Sequence, residues 1–144
     1  LAREKGLQYI GLDGTVGIIA NGARLAMSTL DVVNQVGGSA ANFLDIGGGA
    51  NADVMAGALE VINSDKNVKS IFINIFGGIV RCDRVAEGVI ESYKNLGNIN
   101  IPIIVRLQGT NAVEAKKLID ESGLKVQSAI LLSEAADLVK KAIA

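Results

Sequence analysis

Two spacings of apolar residues alternate along the chain. Nearly continuous apolar runs are typical of strands with both faces covered, and they occur at 16–20, 41–46, 71–76 and 101–107, with a weaker one at 125–129. Apolar residues at helical spacing occupy 23–36, 51–64, 79–96, 111–122 and 133–142. This alternation predicts an α/β fold with a doubly wound parallel sheet, and therefore three layers, αβα.

Turn residues refine this prediction. Tyr9–Leu12 and Val16–Ala20 flank the turn dipeptide Asp13-Gly14, which predicts a short N-terminal hairpin. Gly37-Gly38 predicts the end of the first helix. Asn111, with Glu114 three residues later, predicts a capping box.

The strand-to-helix loops should gather on one rim of the sheet. Right-handed crossovers place the carboxyl ends of parallel strands at the same edge. The rim would hold Asn21, Gly47–Gly49, Gly77–Gly78 and Gln108–Thr110.

The segment Ser70–Asp83 carries the clearest candidate site. We predict a strand to Phe76, a turn at Gly77-Gly78 and a helix from Ile79 onward. A helix that begins there directs free N–H groups and partial positive charge at an anion. The glycine pair could equally do no more than turn the chain.

Composition excludes several classes of function. The 144 residues contain no histidine, one cysteine and 3% aromatics, with a net charge of -1. His-based catalysis, His–metal sites and an internal disulfide are excluded within this chain. We expect neither nucleic acid nor a membrane as partner. Because the chain begins at Leu1, we expect a fragment or processed product.

Other sites are weaker candidates. Gly47–Gly49 lacks the G-x-G-x-x-G spacing of a dinucleotide site, and no P-loop motif is present. Asp45 could mimic a receiver-domain aspartate, but the strand at 101–107 lacks the matching lysine. Cys82 could be activated by neighbouring arginines or could be a small buried hydrophobe.

Several long stretches resemble one family. YIGLDGTVGIIANGARLAM, NFLDIGGGA, INIFGGIVRCD, IPIIVRLQGTN and ESGLKV are similar to the C-terminal domain of the succinyl-CoA synthetase (succinate–CoA ligase) β subunit. The resemblance runs in order over nearly the whole chain. It implies that residues 1–144 form a single flavodoxin-like CoA-ligase domain of a longer β subunit whose ATP-grasp portion is absent here.

The resemblance also implies that the binding sites of a citric acid cycle enzyme are distributed over two subunits. An α subunit, in an αβ or α2β2 assembly, would bind CoA and carry the phosphorylated histidine, so this chain would hold no catalytic residue and no metal. The full enzyme would use ATP or GTP, Mg²⁺ and CoA through other domains. It would work in a bacterial or archaeal cytoplasm or in the mitochondrial matrix, and the isolated fragment would be inactive.

The family's site residues transfer to five positions. Asn21, Gly78, Ile79 and Val80 match the succinate contacts, and Gly77 and Gly78 match the helix N-terminus that faces the phosphohistidine. One departure is Arg24, where the family usually has glycine. Arg24 could add an anion contact, point outward or disturb the loop.

Two other interpretations stay open. The chain could be the equivalent domain of a related acyl-CoA ligase, such as malate–CoA ligase or ATP-citrate lyase. It could also be a stand-alone module that binds an anion at the Gly-Gly segment.

Overall fold

The computed structural model describes residues 8–11, 14–45, 57–60, 62, 68–96, 102–122, 126–129 and 132–143. Within these ranges the strands are β1 (Gln8–Gly11), β2 (Val16–Ala20), β3 (Asn42–Asp45), β4 (Ser70–Arg81), β5 (Ile103–Thr110) and β6 (Val126–Ala129). The helices are α1 (Ala23–Gln35), α2 (Cys82–Leu96), α3 (Ala112–Glu121) and α4 (Leu132–Ile143), and residues 57–60 are also helical.

The sheet separates two apolar cores. Ile71, Ile73 and Ile75 of β4 pack with Leu59, Ile62 and the buried residues of α2 and α3. Phe72 points to the opposite face, where α1 and α4 contribute Val33, Val139 and their neighbours. Successive residues of β4 therefore pack into different cores, which explains the unbroken apolar run of this strand. The predicted three-layer α/β fold is confirmed.

The sheet order is β1-β3-β2-β4-β5-β6. Strands β3, β2, β4, β5 and β6 run parallel in the flavodoxin-like order, whereas β1 pairs antiparallel with β3. The predicted hairpin between 9–12 and 16–20 is therefore wrong. Strand β2 lies between β3 and β4, so both of its edges are occupied and β1 joins the outer edge of β3.

A side chain completes the pairing of β2 with β3. Direct pairing is seen at Ala20 with Asp45 and at an isolated bridge between Val16 and Ala40. Between these points the buried Asn42 carboxamide accepts from the Ile18 N–H (3.2 Å) and donates to the Ile18 carbonyl (2.8 Å). The amide thus takes the place of a main-chain partner for both polar groups of Ile18.

The ends of α1 and α3 test two capping predictions. Gly37 has a φ of 89°, and the N–H groups of Gly37 and Gly38 donate to Asn34 and Val33, so the predicted glycine cap is confirmed as a Schellman motif. The predicted capping box is wrong, because Asn111 has a φ of 62° and makes no side-chain cap hydrogen bond. An N-cap side-chain oxygen accepts from an N–H of the first turn when its own backbone is extended, and the backbone of Asn111 is left-handed.

Candidate functional site

The strand order creates a switch point between β2 and β4. The helix after β2, α1, packs on one face of the sheet, and the helix after β4, α2, packs on the other. The two strands thus lead to opposite faces of the sheet, and in open α/β sheets ligands commonly bind at the carboxyl edge of such a position. Asn21 follows β2 at this point, and Phe76 lies beside it on β4.

The Asn21 side chain bridges the two strands. Its Nδ2 donates to the Phe76 carbonyl oxygen at 3.0 Å, and its Oδ1 accepts from the Phe76 N–H at 3.0 Å. The main-chain ladder between β2 and β4 ends with Ala20 opposite Asn74. Gly22, with a φ of 125°, then turns the chain into α1. The Asn21 carboxamide therefore supplies Phe76 with the two hydrogen bonds that the main chain of β2 no longer provides.

A network of buried polar groups lies beneath the Asn21–Phe76 contact. Asn74 is fully buried; its Nδ2 donates to Thr29 Oγ1 (3.0 Å), and the Thr29 hydroxyl donates to the Leu25 carbonyl (2.7 Å). Arg106 lies opposite Asn74 on β5 and donates from Nη1 to Asn74 Oδ1 at 3.2 Å. These bonds join α1, β4 and β5 beneath the rim and satisfy groups that would otherwise be costly to bury.

Arg106 also supports the exposed ring of Phe76. Its Cζ lies 5.2 Å from the ring centroid, within cation–π range, and its Nη2 donates to Gln108 Oε1. Arg106 is only 7% exposed, whereas Phe76 is 51% exposed. Phe76 is thus held through its backbone by Asn21 and through its ring by Arg106.

The strand changes register immediately after Gly77. Gly77 pairs with Gly109, but Thr110, the next residue of β5, pairs with Arg81. Gly78, Ile79 and Val80 therefore lie between two consecutive paired positions of β5, as in an enlarged β-bulge. The predicted substrate contacts on β4 are these three residues, and they lie at the same carboxyl edge as Asn21.

One part of the predicted site is wrong in its secondary structure. Helix α2 begins at Cys82, not at Ile79, and Gly77 and Gly78 belong to β4. Strand β5 continues to Thr110, past its predicted end at 107, and offers β4 a partner beyond the glycine pair. Gly77 therefore ends the regular pairing and Gly78 begins the bulge, and neither glycine forms the first turn of a helix.

Some predicted features lie outside the described residues. Asp13 and Gly47–Gly49 are among them, and the side chains of Arg24 and Cys82 are likewise not described. Within the described ranges, no cluster of His, Cys, Asp or Glu is suited to a metal ion. The helices of these ranges also include none with the length and apolar character needed to cross a membrane.

Sequence reasoning missed the network of buried polar groups that contains Thr29, Asn74 and Arg106. A signal was present, because Asn74 and Arg106 each interrupt an apolar strand that is covered on both faces. A buried polar side chain in such a strand needs a partner, which predicts that the two residues interact.

The chain matches a known sequence family. The profile of the CoA-ligase family matches residues 19–142. Over 143 residues, the chain is 59% identical to the β subunit of succinate–CoA ligase [ADP-forming] from Flavobacterium psychrophilum. It is 57% identical over 142 residues to the subunit of the same name from Salinibacter ruber. Each alignment covers 99% of this chain but 36% of the relative, so the chain spans about a third of the length of these relatives.

Solved structures share the fold at low sequence identity. The apo form of dinucleotide-forming acetyl-coenzyme A synthetase 1 from Ca. Korarchaeum cryptofilum has a TM-score of 0.76 at 16% identity, over 93% of this chain and 34% of that one. A crystal structure of a Pyrococcus horikoshii protein has a TM-score of 0.74 at 15% identity, over 94% of this chain and 36% of that one. With most of its length matched by the family profile, this chain belongs to the CoA-ligase family.

Proposed function

We propose that this chain is the C-terminal CoA-ligase domain of the β subunit of a succinate–CoA ligase. The observation that carries the proposal is the 59% identity over 143 residues to a β subunit of that name. In this proposal residues 1–144 form one domain, and a nucleotide-binding ATP-grasp portion precedes it in the complete subunit. The enzyme couples ATP or GTP to the formation of succinyl-CoA in the citric acid cycle, in a bacterial or archaeal cytoplasm or in a mitochondrial matrix.

The domain's part in the reaction is to bind and orient anions. Asn21, Gly78, Ile79 and Val80 form the succinate site, and the backbone at Gly77 and Gly78 faces the phosphohistidine of the α subunit. The bulge supports this role, because residues that leave a regular ladder can direct main-chain N–H groups at a ligand. Such donors stabilise a carboxylate or a phosphoryl group without a bound metal ion.

Nucleotide, Mg²⁺ and CoA bind to other parts of the enzyme in this proposal. An α subunit supplies the phosphorylated histidine, which agrees with the absence of histidine from this chain. The domain therefore positions reactants and stabilises charge, while bond making takes place on groups supplied by its partners.

A chimeric enzyme tests the proposal. This sequence would replace the matching 143 residues of the Flavobacterium psychrophilum β subunit, and the chimera would be expressed with that organism's α subunit. We expect ATP-dependent formation of succinyl-CoA, and none from the 144-residue chain alone. A folded, assembled chimera that makes no succinyl-CoA, or that prefers malate, would overturn the assignment.

A further inference from the structure

The inference starts from the way Asn21 uses its carboxamide. The oxygen and one N–H group are both engaged by the backbone of a single residue, Phe76, at 3.0 Å each. The two residues are 55 positions apart in sequence and lie on opposite sides of the switch point. A side chain committed in this way fixes a peptide orientation before any ligand arrives.

Phe76 is the last residue before the Gly77–Val80 segment. It is followed by Gly77, the final regularly paired position, and then by the bulged residues 78–80. Glycine restricts its own backbone dihedrals very little, so the direction of this segment depends strongly on what precedes it. The rigid support is Phe76, whose ring also rests on Arg106.

We propose that Asn21 is a positioning residue for the Gly77–Val80 segment and that it acts through the Phe76 peptide. The inference rests on the proposed function, in which this segment faces both the phosphoryl group and succinate. This role adds to the succinate contact proposed for Asn21, because loss of Asn21 would then disturb every step that uses the segment, including steps without succinate. Misplacing reacting groups by about 1 Å can cost roughly 100-fold in rate.

Asn42 provides a matched control. Its carboxamide makes the same pair of bonds to the backbone of Ile18, but in the buried middle of the sheet. Replacing either asparagine by alanine removes two hydrogen bonds to a strand backbone. Only Asn21→Ala removes them beside the proposed site.

The experiment uses the assembled chimeric enzyme and measures two rates per folded molecule. The first is phosphorylation of the α subunit by ATP without succinate, and the second is succinyl-CoA synthesis. We expect Asn21→Ala to lower both rates by similar factors, about 10-fold or more. We expect Asn42→Ala to leave both within about twofold, because its bonds lie away from the carboxyl edge. Unchanged phosphorylation, with a raised KM for succinate only, would leave Asn21 as a succinate contact and would overturn the positioning role.

Amide exchange at Phe76 tests the hydrogen bonds themselves. We expect faster exchange of the Phe76 N–H in Asn21→Ala, and retained protection in Asn21→Asp, because a carboxylate keeps the acceptor. Unchanged exchange in Asn21→Ala would overturn the inference. An inactive wild-type chimera whose Phe76 amide still loses protection in Asn21→Ala would overturn the proposed function while supporting the Asn21–Phe76 interaction.

Discussion

Asn21 and Asn42 make the same two hydrogen bonds in different settings. Each carboxamide spans the N–H and C=O groups of one residue on a neighbouring strand. Asn42 is 1% exposed and substitutes for missing main-chain pairing inside the sheet. Asn21 is half-buried and acts where β2 and β4 diverge. The same geometry therefore lies in the buried sheet at Asn42 and beside the proposed site at Asn21.

The cost of losing each amide depends on the access of water. Without Asn42, the polar groups of Ile18 would lie unsatisfied among buried residues. Without Asn21, water can reach the backbone of Phe76 at the rim. The free energy of a hydrogen bond in water is small, whereas an unsatisfied buried group costs about 1–3 kcal/mol.

The largest expected effect on stability follows from Asn42→Ala. We expect the free energy of unfolding to fall by about 3 kcal/mol, against about 1 kcal/mol for Asn21→Ala. Urea denaturation of the 144-residue chain, with the slope compared between variants, measures both. Equal losses would contradict the distinction between the two settings.

A smaller loss is expected when Thr29 is replaced by valine. Valine nearly preserves shape but leaves the buried Nδ2 of Asn74 without its Thr29 acceptor and removes the bond to the Leu25 carbonyl. We expect a loss of about 1.5 kcal/mol, between the values for Asn21→Ala and Asn42→Ala, because one buried donor is left without its acceptor. Thr29→Ser keeps the hydroxyl and is the control. If Thr29→Ser lowers the free energy of unfolding as much, the effect comes from the missing methyl group and not from the hydrogen bonds.

The smallest effect is expected at an exposed pair on the other side of the molecule. Lys116 Nζ lies 2.9 Å from Asp120 Oδ2, and Asp120 Oδ1 accepts from Ser128 at 3.0 Å. The hydrogen bond from Lys116 is the main cause that lowers the pKa of Asp120, and Ser128 adds to it. We expect Asp120→Asn to cost about 0.5 kcal/mol at neutral pH, since such pairs are well solvated.

The pH dependence of that difference has a defined sign. A carboxyl whose pKa is lowered by folding stabilises the native state above its unfolded pKa of about 4. That stabilisation is lost as the pH falls through the folded value. Urea midpoints of the wild type and Asp120→Asn should therefore converge below about pH 4. A difference that persists there would contradict an electrostatic origin.

Local signals predicted much of this fold, and non-local pairing accounts for what they missed. The apolar runs placed β2, β4 and β5, and the glycine pair after α1 gave the correct helix end. The hairpin failed because the partner of β1 is β3, across the intervening β2 and α1. The start of α2 was misplaced because β5 extends β4 past Gly77-Gly78.

Prediction of the candidate site was limited in the same way, by pairing between distant parts of the chain. The resemblance selected Asn21, Gly78, Ile79 and Val80, and the structure places all four at one edge of the sheet. Nothing local to Asn21 indicated a bond to a backbone 55 residues away. The position of the bulge likewise follows from a register shift between two strands, which neither strand encodes alone.

The antiparallel strand β1 has a consequence for aggregation and for where this domain can be shortened. The family profile starts at residue 19, inside β2, whereas the sheet starts at Gln8. A chain cut at the profile boundary would lose β1 and residues 16–18 of β2, and the edge of β3 that β1 covers would be open to pairing with other chains. The residues before the family match therefore cover the outer edge of β3, and keeping them should reduce aggregation of the domain.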